Sequence, residues 1–375
     1  MVTVKQFEDD NYPLQYTSFK QYSRISSEGI RVPLYCLGTQ PLIDNGPLRE
    51  FSCDPDEDES ILNSLLLAQW EDRLWKGLCK YDVTTSEIKV ISGKRKFLAQ
   101  LNEGWDVDQL SNLEESKACC QGDASMFKCK KHFEELLFCV AMGKRAKPEF
   151  IPMVAVPNNV ILIIMNVTPV EYGHIFLLPC GWSRLSQSMD AKFLEMIIRV
   201  SLEINNSSFR MFYDWSISSA PHPYFQACYF PNHLPVELMP VLKLFNDWGG
   251  RICIMRLLNY PIKALLFESS DNLQVLVEAL VAICSFFKEK NFSYSLLLSD
   301  CGKKIFLFPQ VPTSADSCAL PAWECGGHFL FKSRSDFDEA TEEAILERLA
   351  AASLDDERFQ EVEQFCCRVA GKLAH

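Results

Sequence analysis

A chain of 375 residues, 48% hydrophobic and 23% charged, carries enough apolar side chain for two packed cores, which argues against a disordered or low-complexity protein. Its formal charge of -12 at pH 7 speaks against a nucleic-acid surface, because phosphate backbones are met by concentrated lysine and arginine. The 16 cysteines, in a chain whose opening MVTVKQFEDDNYPLQ lacks a basic segment followed by an apolar one, read as reduced and partly buried thiols. The longest apolar runs, Val160–Met165 and Ala279–Phe287, are too short to span a bilayer. The expectation is a cytosolic protein, with access to the nucleus left open and no membrane partner.

Residues 1–55 read as an irregular arm in which Pro, Gly and Ser recur, ending in the acidic run DPDEDE. Ser60 then opens a helix, with apolar residues at Ile61, Leu62, Leu65, Leu66, Trp70, Leu74 and Leu78. Strands are expected at Tyr81–Val90 and Phe97–Leu101, joined by a hairpin loop whose Lys94-Arg95-Lys96 reads as a solvated turn. Gly104–Lys131 is polar and has no assignable period. Cys119, Cys120, Cys129, His132 and Cys139 form the densest group of metal-ligating types. Cys129 and His132 have C-x-x-H spacing, but the other spacings are loose and no metal is assigned. Cys366 and Cys367 are sequence neighbours whose side chains diverge, so they do not readily serve one site.

Val160–Asn166 and His174–Pro179 read as buried strands around a turn at Thr168–Gly173. A helix follows over Asp190–Asn205, then a strand carrying PHPYFQA at Pro221–Ala227. A second block from about Trp248 shows the same order: a strand at Ile262–Phe267, a helix at Asp271–Lys290, and strands at Tyr294–Leu298, Lys304–Phe308 and His328–Lys332. GHIFLLP at Gly173–Pro179 and GKKIFLFP at Gly302–Pro309 share a glycine turn, an apolar strand and a terminal proline, a faint internal repeat. The tail from Ser335 is helical. Antiparallel strands with interspersed helices predict an α+β fold of two related halves: an arm at 1–55, a first domain at 56–245 carrying the motif, and a second at 246–375.

Within PHPYFQA, His222, Tyr224 and Gln226 alternate, so on a strand all three side chains project from one face towards a common ligand. Pro221 and Pro223 remove two amide hydrogens, which implies either a distorted strand or an edge strand with no ligand at all.

Three passages resemble the GDP-hexose phosphorylases: QWEDRLWKGLCKYDVTTSEIKVISGKRKFLAQLNEG from Gln69, NVTPVEYGHIFLLP from Asn166 and SDCGKKIFLFPQ from Ser299. The resemblance continues through PAWECGGHFLFKSRSDFDEATEEA from Pro321, and it is best with the plant-type GDP-L-galactose phosphorylases of ascorbate synthesis. It implies a histidine-triad fold of the galactose-1-phosphate uridylyltransferase-like branch, with antiparallel sheets and flanking helices. The implied reaction is ping-pong. A histidine attacks the α-phosphorus of GDP-L-galactose or GDP-glucose, hexose 1-phosphate leaves, and phosphate takes the guanylyl group as GDP. The family motif His-x-His-x-Gln puts its first histidine on His222, its phosphate-contacting glutamine on Gln226 and its nucleophile on Tyr224. Asn166 and His174 match the nucleotide side. No cofactor is implied. The implied partners are GDP or a GDP-hexose with phosphate, and a dimer or a partner enzyme stays open.

Two other departures fall where phosphate would be handled. Basic residues expected after LNEG are replaced by Trp105-Asp106-Val107-Asp108, and Tyr213–Pro221 approaches the motif without a glycine. A neutral imidazole offers a lone pair at pH 7. A phenol with a pKa of about 10 must first lose its proton, at a cost of about 4 kcal/mol and roughly a thousandfold in rate. His222 is the one conceivable base. His132, His233, His328 and His375 are assigned no catalytic role. The first reading is therefore a catalytically silent or impaired family member that retains guanine-nucleotide or partner binding. The alternatives are an active phosphorylase or nucleotidyltransferase using an atypical site, and a pure interaction protein.

Overall fold

The computed structural model describes residues 31–39, 60–104, 134–180, 189–215, 224–247, 250–269, 273–311 and 319–373. Strand β1 (Arg31–Leu37) lies inside the stretch expected to be irregular, and its Val32, Leu34, Tyr35 and Leu37 are buried. Helix α1 (Ile61–Trp75) begins where expected: the Ser60 hydroxyl accepts from Asn63 N, and Leu62, Leu66 and Trp70 form one buried stripe. The first expected strand is shorter than its apolar pattern suggested. Asp82 caps a 3-10 turn at Val83–Thr85, and β2 spans Glu87–Val90. It pairs antiparallel with β3 (Leu98–Leu101), and between them the Glu342 carboxylate binds the backbone N–H groups of Lys94 and Arg95.

Strands β4 (Leu136–Met142) and β5 (Glu149–Ala155) were not read from the sequence. The pair β6 (Val160–Met165) and β7 (Tyr172–Cys180) follows, then α2 (Ala191–Ile204), capped by Asp190 and closed by Asn205 at φ 46°. β8 (Phe209–Trp215) and β9 (Phe225–Tyr229) complete the first half. The second half contains β10 (Val241–Asn246), β11 (Cys253–Leu257), β12 (Leu265–Glu268), α3 (Leu273–Glu289), β13 (Ser293–Ser299) and β14 (Lys304–Gln310). Beyond it come α4 (Ala322–Cys325), β15 (His328–Phe331), α5 (Arg334–Asp338), α6 (Glu342–Ala352) and α7 (Asp356–Leu373).

Among the described residues, twelve strands form one sheet in the order β10-β11-β12-β14-β13-β8-β9-β7-β6-β4-β1-β5, and β15-β3-β2 form a second. The large sheet reads the same outward from its middle. β6-β7-α2-β8-β9 and β11-β12-α3-β13-β14 share one connectivity, β4 and β10 flank them, and β8 pairs antiparallel with β13 with Tyr213 opposite Leu296. The two halves are thus related by an approximate two-fold axis at that junction. This relation corrects the sequence repeat: GHIFLLP lies on β7, the second strand of its unit, whereas GKKIFLFP lies on β14, the fourth. The topological partner of the motif strand β9 is β14, so the shared letters reflect the common needs of buried strands.

Alternation along the strands separates the cores. Tyr213, Phe225 and Leu296 face the helices α1, α2, α3 and α7. Phe212, Phe230, Leu297 and Phe306 face the small sheet together with Trp323 and Phe329. Leu34, Cys139, Leu162, Phe176 and Leu178 form a third cluster, against which Tyr224 packs. Strand β9 lies between β7 and β8, so the edge-strand alternative fails for Phe225–Tyr229; Pro221, His222 and Pro223 lie outside the described residues.

Candidate functional site

The site is built on a turn between β6 and β7. Gly173 takes φ 69°, and a Cβ there would meet the Tyr229 ring at 2.5 Å, so only glycine brings the chain this close before His174. The small sheet and its flanking residues clamp the turn: Gln100 Nε2 donates to Val170 O at 2.9 Å, Asn102 Nδ2 to Pro169 O at 3.4 Å, and the Tyr81 hydroxyl to Pro169 O. From the helical side, Trp70 Nε1 donates to His174 O at 3.2 Å.

His174 is 1% exposed, and both ring nitrogens are engaged. Val170 N–H donates to Nδ1 at 2.9 Å, which assigns the ring proton to Nε2. Nε2–H then donates to Gln226 Oε1 at 3.1 Å. Asn166 sits beside the ring, its Nδ2 3.3 Å from Nδ1, while its Oδ1 accepts from Thr168 N at 2.9 Å. Burial lowers the His174 pKa to about 4, against a smaller opposing effect of the Gln226 bond, so the ring is neutral at pH 7. Held this way, His174 is an orienting group. It fixes the Gln226 carbonyl and leaves the amide N–H groups of Gln226 as the face that can meet an acceptor.

Tyr224 lies on the same strand face as Gln226, half-buried, with its ring edge-on to Phe176 at 5.8 Å. Of the residues expected at the site, the structure therefore brings together Asn166, His174 and Gln226 and places Tyr224 next to them. His222 and Trp105–Asp108 lie outside the described residues, as do Cys119, Cys120, Cys129, His132 and His375. Cys139 is buried on β4, where burial pushes its thiol up to about 12. Among the described residues, no group of three or more His, Cys, Asp or Glu side chains is placed to hold a metal, and no helix is long and apolar enough to cross a membrane. His233 is exposed, with Nδ1 3.4 Å from Glu237 Oε2. His328 is buried against Phe230, with Nε2 2.6 Å from Gln100 Oε1, and burial lowers its pKa to about 3.

Sequence reasoning missed two neighbours of the site. Asp214 follows Phe212 by two residues, Tyr224 precedes Gln226 by two, and Phe212 pairs with Gln226, so both extend one face at the same end of the strand pair. The Asp214 carboxylate accepts from Ala322 N at 2.8 Å, and burial raises its pKa to about 6 despite the bond to Ser295. That bond fixes the start of α4 over β8, which sets Trp323 edge-on to both Phe212 (5.8 Å) and His174 (6.4 Å). Asp214 and Trp323 stood in passages conspicuous in the sequence, but only the pairing of β8 with β9 and the fold-back of α4 bring them here.

Two family models match the chain: "GDPGP1-like, N-terminal domain" over residues 61–228 and "GDPGP1-like, C-terminal domain" over residues 235–373. The chain is 34% identical over 362 residues to GDP-L-galactose phosphorylase 1 of Arabidopsis thaliana, covering 92% of this chain and 81% of that one. It is 22% identical over 346 residues to GDP-D-glucose phosphorylase 1 of Danio rerio, covering 86% and 95%. Among solved structures, yeast Ap4A phosphorylase in complex with AMP superposes with a TM-score of 0.52 at 13% identity, over 78% of this chain and 96% of the other. That likeness supports the histidine-triad-like fold of two related halves.

Proposed function

This chain belongs to the GDPGP1-like family of GDP-hexose phosphorylases, and from that premise we propose that it binds guanine nucleotide while its phosphorylase chemistry is silent or strongly impaired. The observation that carries the reading is a phenol, Tyr224, on the face that the ordered Gln226 amide shares. The support for a ligand is the investment in Gln226: four hydrogen-bonded groups, from two sheets, fix one amide. The support for silence is chemical. A phenol at this position must be deprotonated before it attacks phosphorus, and a tyrosyl phosphodiester is a poorer guanylyl donor to phosphate than a phosphorylated imidazole. Asp214 adds a carboxylate to the strand face that carries Tyr224, which would oppose a phosphoryl group bound there.

Incubation of the full chain with GDP-L-galactose, GDP-D-glucose and phosphate tests the reading, with GDP and hexose 1-phosphate measured and GDP binding followed by calorimetry. The expected result is binding with release at least a thousandfold below that of an active relative. Turnover matching a relative would establish the active alternative. Absence of any binding heat would favour an interaction protein.

A further inference from the structure

Trp323 is 3% exposed, and its Nε1–H has no hydrogen-bond partner among the described residues. Indole nitrogen is a donor only, and a buried donor without an acceptor forfeits the hydrogen bond it had in water. Such groups are rare in folded proteins and call for a partner. This one is not adrift in the core. Its ring is edge-on to Phe212 and to His174, the two residues that Gln226 meets across β8 and through Oε1. Ala322, next to it, is tied to Asp214, so the indole is held in place by the site's own strand pair.

The offered chemistry is one-sided. The carbonyl of Gln226 is occupied by His174, which leaves its N–H groups, and Trp323 adds another N–H. Donors without an acceptor match a group that only accepts, which a hydroxyl or an amino group does not do as well. We propose that the indole N–H of Trp323 is a ligand-binding donor of this site, reserved for a phosphoryl oxygen of a nucleoside diphosphate sugar. This rests on the guanine-nucleotide reading above and adds to it a residue and an atom.

The test uses the full chain labelled with 15N at its tryptophan indoles. The Trp323 signal is identified by its loss in Trp323→Phe and, independently of that variant's folding, by cross-relaxation with the Phe212 ring. GDP, GDP-L-galactose, inorganic phosphate and guanosine are titrated while calorimetry records saturation. The expected result is a downfield shift of the Trp323 indole proton, with slowed exchange, on adding GDP, GDP-L-galactose or phosphate, and none with guanosine. Trp323→Phe then weakens GDP binding by about tenfold or more, the loss of a hydrogen bond to a charged acceptor. Saturation by GDP with an unmoved Trp323 signal would overturn the inference and leave the functional reading standing. An equal shift with guanosine would overturn the phosphoryl assignment. Absence of binding heat with every ligand would overturn the functional reading, and the inference with it.

Discussion

Gln226 Oε1 lies 3.1 Å from His174 Nε2, and because Val170 N–H occupies the other ring nitrogen, the direction of that bond is fixed. His174, expected on the nucleotide side, points its proton at the glutamine. Order passes from the small sheet through Gln100 to the turn, from the turn to His174, and from His174 to Gln226.

Replacing Gln226 with Leu removes both the acceptor for His174 and the amide offered to ligand. The stranded Nε2–H costs about 1–3 kcal/mol of stability, and GDP affinity falls at least tenfold. Denaturant melts and calorimetry measure the two effects; unchanged affinity would show that the amide does not meet ligand.

Gly173→Ala should be among the costlier alanine substitutions in the chain. It forces an L residue to φ 69° and drives a methyl against Tyr229 at 2.5 Å, where the ring is buried and its hydroxyl donates to Asn63 at 2.8 Å. A loss of about 2 kcal/mol or more is expected in a urea melt, combining backbone strain with overpacking.

Glu171 provides a pH test of the turn. It is 6% exposed, and burial raises its pKa from 4.5 to about 7. A raised carboxyl favours the folded state while protonated. Its stabilising contribution is complete below about 4.5 and is lost as pH rises through about 7. Glu171→Gln keeps the neutral shape at every pH. The variant should match wild type near pH 4.5 and exceed it by pH 8, the gap growing by on the order of 1 kcal/mol per pH unit between them. Comparing the two proteins at each pH cancels the opposite trend from His174 and His328, whose depressed values cost stability as pH falls below 6.5. A constant gap from pH 5 to 8 would show that Glu171 is not held in a dry environment.

Tyr224→His should fold, since the ring is only half-buried and an imidazole can take its place edge-on to Phe176. Given GDP-L-galactose without phosphate, the variant should accumulate a covalent guanylyl adduct on the introduced imidazole, detectable by intact mass, and wild type should not. GDP release in the presence of phosphate should rise at least tenfold. A wild-type adduct on the Tyr224 oxygen would establish the active alternative.

Local chemistry was legible where one short range of sequence settles it. Ser60 and Asp190 cap the helices they were expected to open, because a side-chain oxygen ahead of an apolar stripe meets an orphan N–H whatever the tertiary context. Strands were harder. Arg31–Leu37 was hidden in a Pro-containing arm, and Val241–Asn246 keeps much of its apolar surface exposed, so neither announced itself by periodicity.

By itself the sequence determined the fold class, the two halves and the residue types at the site, since the alternation of Tyr224 and Gln226, the glycine before His174 and the whole-chain resemblance are all linear facts. Tertiary structure alone decided which residues meet. His174 and Gln226 are 52 positions apart, Asp214 reaches Ala322 across 108, and the true internal repeat lies in strand order rather than in matching letters. The physical reason is that hydrogen-bond direction and burial belong to pairs of groups brought together by sheet register. A residue read alone carries its donors and acceptors but not the partner that uses them.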